Sequence, residues 1–219
     1  MGPRGVTVGS SGTRWVSVEP ERMAGWIQRY AARHGEVSSR VEGDEVLLTA
    51  ADGTVARCQV PFPPLDAMPE DAAAALVSHG LLDRRVGVLL VRLGGYAAGV
   101  FEGSTLVSSK VGSRQVHGRS SAGGWSQQRF ARRREGQVSV ALEAATANAE
   151  RILLPEKLDA VVLGGDRRAV DTVLADRRLA ALRPLVSGPL LDVPDPRLRV
   201  LQGTPARFRA VRIGLPEGP

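Results

Sequence analysis

One apolar stripe constrains this chain more than any other feature. Val138, Leu142, Ala145, Ala149 and Ile152 recur at alternating steps of four and three. That spacing predicts a single long helix from Ser126, as its N-cap, to about Leu153, with one face against a core. A helix of that length needs a layer to pack on, and the upstream sequence supplies one. Val86 to Leu93, Ala97 to Glu102 and Thr105 to Val111 read as successive strands joined by tight, glycine-containing turns. Downstream, Pro155 ends the helix and Leu158 to Leu163 is an apolar run of buried-strand type. Gly164-Gly165-Asp166 then turns into a second helix through about Leu182, with Asp166 as its N-cap. Leu185 to Leu191 reads as a further strand, and Arg199 to Ile213 as one or two short elements. Strands first, then helix alternating with strand, define an α/β (α+β) domain built on a mixed sheet.

A smaller unit precedes it. Residues 1–12 are rich in Gly and Ser and read as a frayed terminus. Arg14 to Val18 alternates like a strand. Pro20 to His34 carries Met23, Trp26, Ile27 and Tyr30 at helical spacing, and Gly35 is a stop signal. Glu45 to Thr49 and Thr54 to Val60 read as a hairpin turning near Asp52-Gly53. Four prolines between Pro61 and Pro69 mark a boundary, followed by a short helix from Glu70 to His79. The expected organisation is a small N-terminal α+β unit over residues 1–80 and the main domain over residues 81–219.

Several classes are disfavoured at once. No stretch approaches the ~20 apolar residues of a bilayer span, and the first 25 residues hold no apolar signal-peptide core. A lone cysteine, Cys58, cannot form an internal disulfide. The expectation is a cytoplasmic protein, a monomer, with no membrane partner. Asp159, Asp166 and Glu102 could be imagined as metal-binding carboxylates, but nothing fixes a ligand spacing. The plainer reading puts Asp159 at a strand start and Asp166 at a helix cap. His34 and His79 sit at element ends and read as structural or solvated. Gly164-Gly165 lacks the third glycine of a dinucleotide fingerprint and reads as a turn. No metal and no cofactor are expected.

The charge is concentrated. Between Lys110 and Glu135 stand Lys110, Arg114, Arg119, Arg129, Arg132, Arg133 and Arg134, seven cations against Glu135 alone. That surplus of six equals the formal net charge of the whole chain, +6, and the other 22 cations and 22 carboxylates balance. A patch this dense points to a polyanionic partner. The same run holds Gly112, Gly118, Gly123 and Gly124, which allow backbone conformations and close approaches closed to other residues. Arg129, Arg132 and Arg133 follow at helical steps of three and four and share one face. Arginines at a helix N-terminus repel one another and oppose the helix dipole, a local cost that suggests a functional reason. His117 and Arg119 extend the charge along the loop. Trp125 either stacks on a base or anchors the loop to its own domain. A solvated basic loop before an ordinary amphipathic helix is the plain alternative, and on these grounds alone RNA binding is better supported than catalysis.

The run from 110 to 135 resembles the signature of actinobacterial Vms-like release factors. These are bacterial relatives of the catalytic domain of the eukaryotic Vms protein, and are similar to the middle domain of eukaryotic and archaeal peptide-release factors. The strand–strand–loop–long-helix order fits that resemblance through about residue 191; the first 80 residues carry no matching motif. The resemblance implies hydrolysis of peptidyl-tRNA trapped on an obstructed large ribosomal subunit, with rRNA and peptidyl-tRNA as partners. Release factors carry Gly-Gly-Gln; here the stretch is Gly123-Gly124-Trp125-Ser126-Gln127. The eukaryotic Vms pattern also separates glycines from glutamine, by a single serine, and this chain adds Trp125. Serine directly before the critical glutamine favours Gln127, with Gln128 competing. By the same resemblance Gly123 and Gly124 shape the loop, and Lys110, Arg114, His117, Arg119, Trp125, Arg129, Arg132, Arg133 and Arg134 contact RNA. Two rival activities remain at this point: endonucleolytic cleavage near the tRNA 3′ CCA end, and ribosome or RNA binding without catalysis.

Overall fold

The computed structural model describes residues 7–9, 12–65, 72–93, 95–113 and 126–216; for 7–9 and 126–135 it describes the backbone alone. The chain divides into two compact units, one of residues 1–82 with 205–219, the other of residues 83–204.

The first unit is an antiparallel sheet carrying two helices. Its strands are β1 (Thr7–Gly9), β2 (Thr13–Val18), β3 (Val37–Glu42), β4 (Glu45–Ala50), β5 (Val55–Gln59) and β10 (Val211–Pro216). They lie in the order β1-β2-β10-β5-β4-β3. Helix α1 (Pro20–His34) starts with proline at its first turn, where the missing N–H costs nothing. It ends at Gly35, whose φ of 92° suits a residue without a Cβ. Met23 and Tyr30 of α1 and Leu76 of α2 (Ala72–Leu81) bury against Val46, Leu48, Cys58, Val211 and Ile213. The β4–β5 hairpin forms as the sequence predicts, and Asp52 fastens its turn, accepting from the Thr54 N–H at 2.9 Å and meeting His34 Nδ1 at 2.8 Å. The expected domain division differs at the C-terminus: β10 inserts between β2 and β5, so the last strand completes the first unit's sheet. Thr7–Gly9 also pairs with β2 inside a segment expected to be frayed.

The second unit is built on a mixed four-stranded sheet in the order β8-β7-β6-β9. β6 (Arg85–Arg92), β7 (Gly95–Glu102) and β8 (Thr105–Ser113) form an antiparallel meander, and β9 (Ala160–Gly165) runs parallel to β6. One face is covered by α3 (Ser126–Leu153), α4 (Arg167–Ala175) and a 3-10 segment (Arg177–Leu185). Ala145, Ala149 and Leu153 of α3 and Val170 and Val173 of α4 pack on Leu89, Val91, Ala98 and Val100. Each larger side chain buried there contributes roughly 1.5–3 kcal/mol. Small Ala145 and Ala149, fully buried, let the helix lie close to the strands. On the other face, Leu201 of α5 (Leu198–Gln202) fills the space above Gly99. The four-residue α6 (Pro205–Phe208) leads back to the first unit.

Two expected elements are corrected here. The second helix stops at Ala175, because Asp176 leaves helical geometry with ψ at 136° and its side chain caps the following 3-10 turn through the Arg178 N–H. Leu185 to Leu191 makes two isolated parallel bridges, Val161 to Val186 and Gly164 to Leu191, and no strand. Gly188 at φ 75°, followed by Pro189, interrupts the pairing between them.

Candidate functional site

The run predicted to carry the chemistry spans the connection from β8 to α3. Residues 114–125, and with them Arg114, His117, Arg119, Gly123, Gly124 and Trp125, lie outside the described residues. Their end points are fixed: Ser113 pairs with Gly95 at the end of β8, and Ser126 opens α3. Lys110 is exposed on β8 opposite Ala98. The backbone of α3 places Gln127 and Gln128 in its first turn and Arg129, Arg132, Arg133 and Arg134 within its first three turns. The N–H groups of Ser126, Gln127, Gln128 and Arg129 belong to the first turn, where no helical carbonyl is available to them.

The lengths of the elements show how this end is carried. The 28 residues of α3 extend about 42 Å at ~1.5 Å per residue. The eight residues of β6 and of β7 extend only about 26 Å at ~3.3 Å each. At the C-terminal end of α3, Leu153 sits 3.2 Å from where a Cβ on Gly87 would stand, near the start of β6. Val138, Ala141 and Leu142 meet Val91, Leu93, Gly95 and Tyr96 at the β6–β7 turn, around a cavity of about 10 Å³, room for one water. The helical backbone from residue 126 to 137 therefore runs past the end of the sheet for about 18 Å. Consistent with that, a Cβ on Gly136 would meet nothing within 4 Å.

The base of the connection is locked by residues that the sequence reading passed over. Tyr96, only 9% exposed, lies across Gly112 so closely that a Cβ on Gly112 would stand 2.8 Å from its Cε1. Asn148 Nδ2 donates to Tyr96 Oη at 2.9 Å and to the Ala144 carbonyl at 2.6 Å. This joins β7, the end of β8 and α3 in one contact set. Further along, Arg178 bonds Glu143 Oε1 and Oε2, both at 2.8 Å, and Asp176 Oδ2 at 2.8 Å, tying α3 to the 3-10 segment. The Arg178 guanidinium and its backbone N–H hold the Asp176 carboxyl down to about 2.

The carboxylates weighed as metal ligands have other work. Asp166 Oδ1 caps α4 through the Ala169 N–H at 3.0 Å, as expected. Asp159 Oδ2 accepts the Arg85 N–H at 2.7 Å, and Glu102 pairs with the Arg85 guanidinium. Among the described residues no group of three or more His, Cys, Asp or Glu could hold a metal ion. Gly164 and Gly165, expected in a turn, are instead the last residues of β9, with Gly165 at φ 105° beneath the Val91 carbonyl. His79 Nε2 meets the Pro61 carbonyl at 2.9 Å. No helix among the described residues is long and apolar enough to cross a membrane.

With this arrangement in place, the sequence profile of the Actinobacteria/chloroflexi VLRF1 release factor family matches residues 84–214, more than half of the chain, and the chain belongs to that family. Among solved structures the chain is similar to an archaeal translation termination factor, aRF1, at 16% identity and a TM-score of 0.42, over 74% of this chain and 51% of that one. It is similar to the Vms1 mitochondrial localization core at 7% identity and 0.38, over 87% and 81%. It is also similar to S. cerevisiae Dom34, a translation termination-like factor, at 8% identity and 0.34, over 90% and 65%. The chain spans about half the length of the first two solved structures it matches. The family assignment rests on the sequence match alone. No curated protein sequence matches the chain.

Proposed function

We propose that this release factor is a cytoplasmic peptidyl-tRNA hydrolase that frees stalled nascent chains from obstructed large ribosomal subunits, with Gln127 as its key group. The observation that carries this reading is the helical stalk of α3, which extends past its sheet by about 18 Å and bears the glutamine pair at its tip. A reaction centre walled by RNA requires the reacting groups to stand clear of the sheet that carries them, and the stalk supplies that reach.

The bond to be broken is the ester between the nascent peptide and the terminal ribose of the tRNA. Water attacks the carbonyl carbon, the ester oxygen leaves with one of the water protons as the ribose hydroxyl, and the peptide departs as a carboxylate, the other proton passing to solvent. The step needs a positioned water and donors for the developing oxyanion, and no strong base. A first-turn glutamine has a backbone N–H without a helical acceptor and an amide that both donates and accepts. Gly123 and Gly124 would let the loop enter a narrow cavity. Arg119, Arg129, Arg132, Arg133 and Arg134 would meet phosphates around it, with Lys110, Arg114, His117 and Trp125 as further RNA contacts.

The test is nascent-chain release from isolated large subunits carrying peptidyl-tRNA. Gln127→Ala should slow single-turnover release by about 10²-fold or more, the scale of losing one oxyanion-hole donor, while Gln128→Ala should retain most of the rate. Undiminished release by Gln127→Ala removes that residue from the mechanism. An intact CCA end on the released tRNA is expected; a truncated one would identify an endonuclease instead.

A further inference from the structure

Outside the 110–135 run the cations and carboxylates balance in number, yet the fold does not mix them evenly. In the second unit the ion pairs among the described residues belong to Arg85 and Arg178. Arg85 opens β6, at the end of the sheet away from the β8–α3 connection. At the other end stand Arg92, Arg167, Arg168 and Arg197, none with a carboxylate in ion-pair distance among the described residues.

Contacts place these four side by side with the base of the loop. Arg92 closes β6 and donates to the Val193 carbonyl at 2.6 Å. Val91 is in register with Gly165 at the end of β9, and the Asp166 N–H donates to the Val91 carbonyl at 2.8 Å, so Arg167 and Arg168 emerge beside Arg92. A Cβ on Gly95 would stand 3.0 Å from the Gly112 carbonyl and 3.6 Å from the Pro196 carbonyl, so Arg197 follows directly on the stem of the loop. Arg167, Arg168 and Arg197 are exposed, as is Lys110 on β8. Asp166, Asp171, Asp192 and Asp195 share this end, Asp166 engaged as a helix cap and Asp192 also engaged, so five cations face four carboxylates.

We infer that this rim is a second RNA-backbone contact surface, flanking the loop and gripping phosphates while the stalk reaches inward. The inference rests on the RNA-directed reading of the loop. From β9 to β8 the rim crosses three strand spacings, about 14 Å, the length over which one nucleic-acid strand presents about four charges at ~3.4 Å each. Long guanidiniums without carboxylate partners at that separation match the charge repeat of a phosphate chain, whose oxygens arginine can bond two at a time.

The test is binding of the full chain to purified large ribosomal subunits stripped of tRNA, across a salt series. The triple variant Arg167→Gln, Arg168→Gln, Arg197→Gln should lose at least tenfold in affinity at low salt. Its slope of log affinity against log salt should fall by about 2, at ~0.7 per lost contact. Arg177→Gln, which removes one charge beyond the far end of α4, should leave the slope unchanged. Melting curves check that the triple variant folds, as expected when its arginines pair with no carboxylate. An unaltered affinity and slope in the triple variant overturns the inference, as does a parent chain that fails to bind the subunits. Affinity lost without a change in slope overturns it too, and assigns the rim to a protein contact. Because the readout is binding, a failure of nascent-chain release with the slope loss intact would count against the hydrolase reading alone.

Discussion

Replacing Gly112 by alanine tests how the base of the loop is held. The new methyl would stand 2.8 Å from Cε1 of Tyr96 and nearer still to Cζ and Oη, against ~3.5–4.0 Å for a comfortable carbon contact. The ring has little room to move. It is 9% exposed, belongs to the core under α3, and is fastened by Asn148 at 2.9 Å. Overpacking of this kind costs about 1–3 kcal/mol. The clash has one named partner, so a double-mutant cycle isolates it. Tyr96→Ala alone should cost about 3–5 kcal/mol, as for other large-to-small aromatic changes. Gly112→Ala on that background should cost nothing, and could gain ~0.5 kcal/mol because glycine is a poor strand residue. The expected coupling is therefore about 2 kcal/mol. Native-state hydrogen exchange at the Leu89 and Ala98 amides reads the stability of this unit by itself, free of the unfolding of the other. If Gly112→Ala costs the same with and without the tyrosine, the ring is not what demands a glycine, and the account of the loop's base is wrong.

Two further outcomes follow from the geometry. Gly136 lies in the overhanging part of α3 with open space around its missing Cβ, so Gly136→Ala should stabilise the helix by roughly 0.5–1 kcal/mol; circular dichroism against temperature should show a gain in helix signal, and a loss would mean the glycine is needed for a bend. Burial pushes the Cys58 thiol up to about 12 from an ordinary 9.0. Because the raised value favours the neutral thiol in the folded state, its contribution is intact below pH 9 and is lost as pH climbs toward 12. Alkylation at pH 8 should proceed only on unfolding, and Cys58→Ala should flatten the alkaline fall in melting temperature.

The parts of the fold that were legible in the sequence are those whose signal is local. The stripe from Val138 to Ile152, the Pro20 start and Gly35 stop of α1, and the Asp52-Gly53 turn each state their structure within a few residues. β3 did not, because Ser39 holds the central inward position of Val37–Glu42; the structure uses that serine as acceptor for the Ala73 N–H at 3.1 Å. β10 did not either: nothing in Val211–Pro216 tells which sheet it completes, and its partners are about 150 to 200 residues away in β5 and β2. The site divides in the same way. The charge run at 110–135 is contiguous and visible, whereas Arg92 and Arg167 reach the same end of the sheet through strand pairing and Arg197 through the approach of Pro196 to Gly95.

Helical structure in the stalk raises an energetic question of its own. A free segment of twelve residues is too short to be a stable helix in water, because forming its first turn is unfavourable. Growing from a helix already packed at Leu142, Ala145 and Ala149, the same segment needs only propagation, which glutamine, alanine and arginine favour. Against that, Arg129 stands in the first turn, where the helix dipole is also positive, at a cost of roughly 0.3–1 kcal/mol, and like charges three and four residues apart among Arg129, Arg132 and Arg133 repel by roughly 0.2–0.5 kcal/mol per pair. Repulsion therefore offsets part of the propensity over these turns. A polyanion laid along them removes the repulsive part and leaves the favourable one, so RNA would stabilise the stalk most strongly where the free protein supports it least. On the proposed function, the arginine run would couple RNA binding to the order of the helix that carries Gln127.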